Sequence, residues 1–190
     1  MHEMADSDER LMNAFSQGNA EAFNELFRRY QQPIFGFFKR RIAEATQAEE
    51  LAQDTFLALI RSTANYRPSA TFRTYLYAIA FNVLRAYRRK AMFRSMFSST
   101  KEEEPSVRNS LAEEIVLRDA LNRLGRVDRE ILLLREFEQL SYAEISELAQ
   151  LPLNTVRSRL FRARMALREM LSAPAASREQ KDLVESKERI

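Results

Sequence analysis

The sequence predicts an all-α fold: two small helical domains joined by a flexible linker, with a helix-turn-helix in the second domain. Apolar residues recur at three- and four-residue spacing over most of the chain, and no segment alternates with a period of two. Three glycines and five prolines in 190 residues are too few for a turn-rich sheet protein. The helical periodicity fails at residues 94–109, a Ser-rich stretch with a charged run, which predicts the linker.

The first predicted helix spans residues 21–42. Its apolar side chains begin at Phe23, end at Ile42 and share one face. Pro33 lies inside this span, and because proline lacks a backbone donor it predicts a kink or a restart of the helix.

A second helix is predicted to start near Thr46. Thr46 and Glu49 have capping-box spacing, in which each side chain satisfies a backbone donor at the helix start. Four apolar side chains form the predicted buried stripe: Ala52, Phe56, Leu59 and Ile60. The opposite side then carries a mainly polar row: Glu49, Glu50, Gln53, Asp54 and Leu57.

A third, longer helix follows a predicted loop at residues 65–69, where Pro68 restricts the preceding residue to extended geometry. This helix is predicted to begin near Thr71. One face carries its expected core residues: Phe72, Leu76, Ile79, Ala80, Val83 and Tyr87. Its far end carries a basic cluster: Arg85, Arg88, Arg89 and Lys90.

Beyond the linker the pattern predicts four more helices. Ser110 and Glu113 have capping-box spacing at the start of the first, and Gly125 is predicted to end it in a left-handed conformation. Asp128 is predicted to cap the next helix, at residues 129–139.

The last two predicted helices have helix-turn-helix form. Ser141 and Glu144 open the first of them, which ends near Gln150, and Pro152 suits the first turn of the second, which continues to about Leu171. Five apolar side chains are expected to pack between them: Ile145, Ala149, Leu151, Val156 and Leu160.

These elements divide the chain into four parts. The predicted boundaries are an N-terminal domain at residues 10–93, a linker at 94–109, a helix-turn-helix domain at 110–172 and a polar tail at 173–190.

The composition disfavours most enzyme classes. The chain has no cysteine and one histidine, His2, which excludes disulfides, thiolate nucleophiles and zinc fingers, and leaves a Ser-His-Asp triad only if His2 supplies the base. Its three glycines are isolated, so no phosphate-binding loop is present and no cofactor is predicted. The most apolar stretch, residues 75–84, is too short to span a bilayer, and the N-terminus does not resemble a signal peptide. We expect a soluble cytoplasmic protein without stable membrane insertion.

The final helix predicts DNA binding. Although the net charge is only +3, four arginines fall within eight residues, at positions 157, 159, 162 and 164. Arginines so spaced on a helix suit the major groove, where they pair with guanine edges or with phosphates. Phe161 beside them suits a thymine methyl, but core packing explains Phe161 equally well. The alternative for the whole face is an ordinary solvated basic surface.

Two other groups of side chains suggest binding surfaces. Glu49 and Glu50 are explained by the dipole of their helix, but Asp54 lies beyond its first turn, so a surface for a basic partner and a solvated face are equally supported. The third helix mixes aromatic and arginine side chains and places Asn82 in an apolar stretch. This mixture favours single-stranded nucleic acid slightly over core packing alone.

Four segments together resemble the extracytoplasmic-function (ECF) sigma factors of bacterial RNA polymerase, in the sigma-70 family. They are AEELAQDTF at 48–56, FRTYLYAIAFN at 72–82, LSYAEI at 140–145 and TVRSRLFRAR at 155–164. The resemblance covers about residues 22–171. It implies a promoter-specificity subunit of RNA polymerase that initiates transcription and is not an enzyme.

The resemblance also implies partners and residue roles. The clamp helices of the largest polymerase subunit would contact Glu50, Gln53, Asp54 and Leu57. The minus-ten element, whose flipped base the loop at 65–71 would capture, would contact Phe72, Tyr75, Asn82, Arg85, Arg88 and Arg89. The minus-thirty-five element would be read as duplex DNA by Thr155, Arg157, Ser158, Phe161 and Arg162. A separate anti-sigma factor is a further implied partner.

The sequence departs from the family pattern at the helix-turn-helix. Gln150 and Asn154 stand where the family commonly has glycine, and Ser146 replaces a common alanine; in the third helix Phe81 replaces a frequent arginine. Two other functions fit the residues without the resemblance. One is a self-sufficient helix-turn-helix regulator that binds duplex DNA without polymerase, and the other is a helical adaptor that binds only protein.

Overall fold

The computed structural model describes residues 7–63, 66, 71–97 and 112–172, and within these it contains eight α-helices and no strand. The all-α prediction is therefore confirmed. The helices are α1 Asp8–Ser16, α2 Ala20–Lys39, α3 Ala45–Ser62, α4 Phe72–Phe97, α5 Ala112–Arg123, α6 Arg126–Glu136, α7 Tyr142–Ala149 and α8 Leu153–Ser172. The chain divides into two compact units, residues 1–107 and 108–190.

The first unit packs α1 to α4 around a core rich in aromatic and aliphatic side chains. α2 contacts all three other helices, and α4 also packs on α3 and α1. Aromatic rings link α1, α2 and α3 in series, and the Phe27 and Phe56 rings meet edge-on with centroids 4.8 Å apart. The bulkiest fully buried side chains are Met12, Leu26, Ile34, Phe37, Phe38, Leu59, Phe72, Leu76 and Leu84.

Helix α1 was not predicted from the sequence. It begins after Ser7, whose hydroxyl accepts a hydrogen bond from the backbone N–H of Arg10 at 3.3 Å. The helix is short, and Leu11 and Met12 are its buried residues, whereas its other residues are mostly polar. Two buried positions are too few to produce a helical period, and tertiary packing therefore supplies most of the stability of this helix.

Three predictions about α2 and α3 need correction. α2 continues through Pro33 as one helix, so it does not restart there. α3 begins at Ala45, one residue before the predicted cap, and its N-cap residue Glu44 makes no side-chain cap hydrogen bond, so the predicted capping box at Thr46 is wrong. Ile60 is 43% exposed and lies outside the buried stripe.

Helix α4 is longer than predicted. It runs to Phe97, so the first four residues assigned to the linker are helical; residues 98–111 lie outside the described part of the chain. Its buried side is also rotated from the predicted face. Leu84 is fully buried, whereas Ile79, Val83 and Tyr87 are half-buried.

In the second unit, α8 packs against α5, α6 and α7. The apolar run 131–134 of α6 is buried, as are Val156, Leu160 and Ala163 of α8. These residues place α6 under the inner face of α8. Of the five side chains predicted to pack between α7 and α8, Ile145, Val156 and Leu160 are buried, and Ala149 and Leu151 are half-buried.

The ends of α5 and α6 differ from the predictions. Gly125 has φ −55° and ψ 140°, so it does not end α5 in a left-handed conformation but is the N-cap residue of α6. Asp128 lies inside the first turn of α6 and is not its cap, and the helix ends at Glu136 instead of residue 139. The capping pair predicted at Ser110 lies outside the described residues, as does the tail 173–190.

The helix-turn-helix formed by α7 and α8 agrees with its prediction, except that α8 begins at Leu153, so Pro152 precedes its first turn. Ser141 and Glu144 form a complete capping box, and α7 ends where Gln150 adopts the left-handed conformation, with φ 55° and ψ 46°. The Ser146 hydroxyl donates a 2.5 Å hydrogen bond to the carbonyl of Leu151 across this turn. The Leu151 N–H donates in return to the Ser146 carbonyl at 3.0 Å.

Candidate functional site

The outward face of α3 carries the first group of predicted contact residues. Glu50, Gln53, Asp54 and Leu57 are all exposed and follow one another at three- and four-residue spacing, so they share a face. Leu57 is 48% exposed, and Ile60 continues the same face one turn later. The opposite side of α3 is core. Because the spacing of Ile60 alone predicts a core position, no sequence pattern indicated that the exposed apolar strip extends to this residue.

The second group lies on α4. Tyr75, Asn82, Arg85 and Arg89 lie on one side of the helix; Asn82 and the two arginines are exposed, and Tyr75 is half-buried. The side combines a hydrogen-bonding amide, an aromatic ring and two cations along about four turns. Such a surface suits a base and a phosphate backbone.

The Tyr75 side chain is held in place at the start of this surface. Its hydroxyl donates to the Ser62 hydroxyl at 2.8 Å, and its ring meets that of Tyr66 with centroids 5.1 Å apart. The Tyr66 hydroxyl is buried and has no hydrogen-bond partner among the residues described. Burial first, and then the charge of Glu9, raises the pKa of Tyr66 above its ordinary value. The two tyrosines therefore form an aromatic pair at the start of α4.

Two residues predicted for the minus-ten group lie elsewhere on α4. Phe72 is 0% exposed, and its ring packs edge-on against Tyr30 at 5.3 Å, so it cannot stack on a base in this conformation. Arg88 lies seven residues after Phe81 and four after Leu84, both of which are buried, so it shares their side of the helix. Its side chain is half-exposed. The burial of Phe72 agrees with its place among the predicted core residues, whereas the position of Arg88 follows from the rotation of the buried side of α4.

The third group lies on α8. Arg157, Ser158, Phe161 and Arg162 are exposed, and Phe161 is 66% exposed, which decides against the core alternative for that residue. Thr155 is half-buried, and its carbonyl accepts a hydrogen bond from the Ser158 hydroxyl at 3.1 Å. Met165 extends the same exposed side one turn beyond Phe161.

Two of the four arginines on α8 form ion pairs with α6. Arg159 donates to Asp128 on α6 at 2.8 Å, and the two side chains are 33% and 27% exposed. Arg164 donates to Glu136 at 2.6 Å, and this hydrogen bond raises the pKa of its guanidinium. Both pairs join α8 to α6. The arginine-rich face was predicted to present all four arginines outward, which is wrong for Arg159; Arg164 is exposed, as predicted, and also pairs with Glu136.

Across the described residues, no group of three or more acidic or histidine side chains has the arrangement of a metal site. Within the same residues, none of the helices combines the length and the apolar character needed to cross a membrane.

Comparison with known proteins agrees with this arrangement of helices. Residues 26–94 match the family described as Sigma-70 region 2, and residues 115–167 match Sigma-70, region 4. The RNA polymerase sigma-H factor of Pseudomonas aeruginosa is 34% identical over 182 residues, covering 87% of this chain and 94% of that protein. The chain belongs to the sigma-70 family of RNA polymerase sigma factors.

A second relative refines the assignment within the family, and a solved structure shares the fold. The ECF RNA polymerase sigma-E factor of Haemophilus influenzae is 31% identical, covering 83% of this chain and 92% of that protein. The solved structure of the sigma factor RpoE from Bartonella quintana, in complex with the anti-sigma factor NepR, shares the fold with a TM-score of 0.71. It is 23% identical and covers 81% of this chain and 99% of that one.

The chain is thus an ECF-type sigma factor, a transcription-initiation factor without enzymatic activity of its own. Family membership decides among the three functions that the residues alone left open. A sigma factor binds core RNA polymerase, recognises promoter elements and promotes promoter melting, so the regulator and adaptor alternatives are set aside.

Proposed function

We propose that three exposed helix faces of this sigma factor bind three different partners. The face of α3 binds polymerase, the face of α4 binds the minus-ten element, and the face of α8 binds the minus-thirty-five element. The observation that carries the proposal is that each face is solvent-exposed while the opposite side of the same helix is core. A helix that presents one polar or mixed face on a packed support positions that face rigidly for a partner.

On α3 the polymerase clamp helices contact Glu50, Gln53, Asp54 and Leu57. The acidic side chains attract a basic partner surface, and the exposed apolar side chain supplies the contact that is desolvated on binding. Ile60 extends this apolar contact by one turn.

On α4 the minus-ten strand contacts Tyr75, Asn82, Arg85 and Arg89. Unstacking DNA costs about 1.4 kcal/mol per base step, so a pocket for an extruded base offsets part of that cost. The Asn82 amide offers hydrogen bonds to a base edge, and the two arginines hold the backbone. Phe72 supports this face from within the core, and Arg88 is left at its margin.

On α8 the minus-thirty-five duplex contacts Arg157, Ser158, Phe161 and Arg162, and Thr155 lies at the edge of this group. The exposed arginines suit guanine edges or phosphates, and the exposed ring suits a thymine methyl. The second helix of a helix-turn-helix is the element that enters the major groove in other proteins of this form.

A protein partner that holds the sigma factor inactive is also part of the proposal. The Bartonella quintana relative was solved with an anti-sigma factor, and a separate anti-sigma factor is proposed for this chain on the same basis. We infer that the chain acts in the cytoplasm, together with RNA polymerase.

The proposal is tested by asking which step of initiation each face controls. Purified variants are mixed with core polymerase and a promoter, and holoenzyme formation, closed-complex formation and strand opening are measured separately. Asp54→Arg should block holoenzyme formation. Arg157→Ala with Arg162→Ala should spare holoenzyme and weaken the closed complex. Asn82→Ala should spare both and slow opening.

Matched controls lie outside the three faces. Glu21→Arg places the same new charge on an exposed position of α2, and Arg126→Ala removes an exposed arginine in the first turn of α6. Both should behave as wild type. Normal holoenzyme with Asp54→Arg, or a normal closed complex with the double α8 variant, would show that the corresponding face is assigned wrongly.

A further inference from the structure

Helix α1 precedes both regions matched to the sigma-70 family, yet it packs directly on α2 and α4. Its first turn carries two consecutive acidic side chains, Asp8 and Glu9, which bind different helices. The proposed functional faces do not include either residue. Their contacts therefore need a separate explanation.

Asp8 binds α2. One carboxylate oxygen accepts a hydrogen bond from Arg29 Nη1 at 2.7 Å, and the other accepts one from the Tyr30 hydroxyl at 2.5 Å. Burial first, and then the bond to Asp8, raises the pKa of Tyr30 well above its ordinary value. These bonds fix the start of α1 against the middle of α2.

Glu9 binds the start of α4. Its Oε1 accepts a hydrogen bond from the backbone N–H of Phe72 at 3.0 Å, across 63 residues of sequence. Phe72 is the first residue of α4, and the first four N–H groups of a helix have no partner within it. A carboxylate there satisfies a donor and also interacts favourably with the helix dipole.

The contacts of Asp8 and Glu9 close a ring of interactions. The Tyr30 hydroxyl binds Asp8, the Tyr30 ring packs edge-on against the Phe72 ring, and the Phe72 N–H binds Glu9. The position at which α4 begins is thus tied to α1 through both the backbone and the side chain of Phe72. Tyr75 lies one turn further along α4, and its ring packs on Tyr66.

We propose that Glu9 is a positioning residue for the minus-ten face: by holding the first backbone donor of α4, it sets the placement of Tyr75. Glu9 contacts protein only and acts through α4. This inference rests on the proposed assignment of the minus-ten face to α4, and its test separates the two.

The test compares Glu9→Ala with Glu9→Gln in holoenzyme. Strand opening is followed by 2-aminopurine fluorescence in the minus-ten element, and holoenzyme and closed-complex formation are measured alongside. Loss of a capping acceptor weakens a helix start enough for about fivefold slower opening in Glu9→Ala. Glu9→Gln keeps an acceptor oxygen and should recover most of the rate. Holoenzyme and closed-complex formation should be unchanged, as in the matched control Glu21→Ala.

Amide hydrogen exchange at Phe72 gives a second, direct measurement. Glu9→Ala should speed the exchange of this amide, Glu9→Gln should speed it less, and amides of α8 should not change. Wild-type opening and wild-type Phe72 exchange in Glu9→Ala would overturn the inference, as would equal loss in both variants.

A wrong assignment of the minus-ten face would give a different pattern of opening rates. In that case Asn82→Ala and Tyr75→Ala leave the opening rate unchanged, whatever Glu9 does. If both of those variants slow opening while Glu9→Ala does not, the α4 face stands and the role of Glu9 fails.

Discussion

At the scale of single residues, the helix-turn-helix shows how two departures from the family pattern compensate each other. A left-handed conformation costs a residue with a Cβ atom about 1 kcal/mol more than glycine, and Gln150 adopts it with φ 55°. The Ser146 hydroxyl then bonds the Leu151 carbonyl across the turn. An alanine at position 146 could not make this hydrogen bond. The serine therefore fixes a turn that lacks its usual glycine.

We predict that Ser146→Ala loosens this turn. Removing a part-buried hydrogen bond costs about 1 kcal/mol, which corresponds to roughly fivefold faster local opening. Amide exchange of Leu151, whose N–H bonds the Ser146 carbonyl, measures the effect in the full chain. Unchanged exchange at Leu151 would mean that the hydroxyl does not hold the turn.

Substitution of Phe161 distinguishes a role in DNA binding from a role in protein stability. Its ring is 66% exposed, so Phe161→Ala should change the stability of the protein by less than about 0.5 kcal/mol. The same substitution should reduce the preference of holoenzyme for thymine at one minus-thirty-five position, because the methyl contact is lost. Competition between promoters that differ at single positions measures this preference. A large loss of stability, or an unaltered base preference, would refute the assignment.

The sequence predicted local features of the site better than long-range ones. The Ser141 capping box and the exposed row on α3 depend on residues three or four apart, and both were found where expected. Arg159 was misassigned because its partner Asp128 is 31 residues away on another helix. Periodicity within α8 contains no information about that partner.

At the scale of helices, the number of buried positions determines which elements could be predicted. α2 and α8 have enough buried positions for a clear period, whereas α1 buries only Leu11 and Met12 and produced no periodic pattern. The end of α4 was placed too early because the Ser-rich composition begins inside the helix, before Phe97. Turns were the least predictable, since Gly125 serves as the N-cap of α6 instead of ending α5.

The pair formed by Asp128 and Arg159 is expected to fix the orientation of α8 on α6. Either single substitution, Asp128→Arg or Arg159→Asp, should weaken minus-thirty-five recognition, because the two like charges then repel. The double variant, in which the two charges are exchanged, should recover part of the minus-thirty-five recognition. For a partly exposed pair the coupling is about 1 kcal/mol, given the 27% and 33% exposure of the two side chains. Binding of the duplex by holoenzyme measures each variant, and an exchanged pair as weak as the singles would exclude such coupling.

At the scale of the whole molecule, the chain consists of two units divided after residue 107. The proposal gives each unit its own promoter element. Linking two weak sites raises their joint affinity through effective concentration, which depends on the length of the connection. The separation of the two promoter elements should therefore be selected by the length of the linker.

We predict that inserting a Gly-Ser segment of about ten residues after residue 107 relaxes this selection. Transcription from promoters with the wild-type spacing should fall a few-fold, because effective concentration decreases with linker length. Transcription from promoters with altered spacing should fall by a smaller factor. A series of promoters with varied spacers tests this, and an unchanged spacing optimum would show that the linker does not set it.

The most direct test of the whole account is selective initiation by purified core polymerase. Core enzyme is incubated with a promoter library, with or without this chain, and transcript starts are mapped. New, sequence-selective starts are expected only when the chain is present, and Asp54→Arg should abolish them. Tight duplex binding by the chain alone, together with no selective starts and no association with core polymerase, would contradict the account.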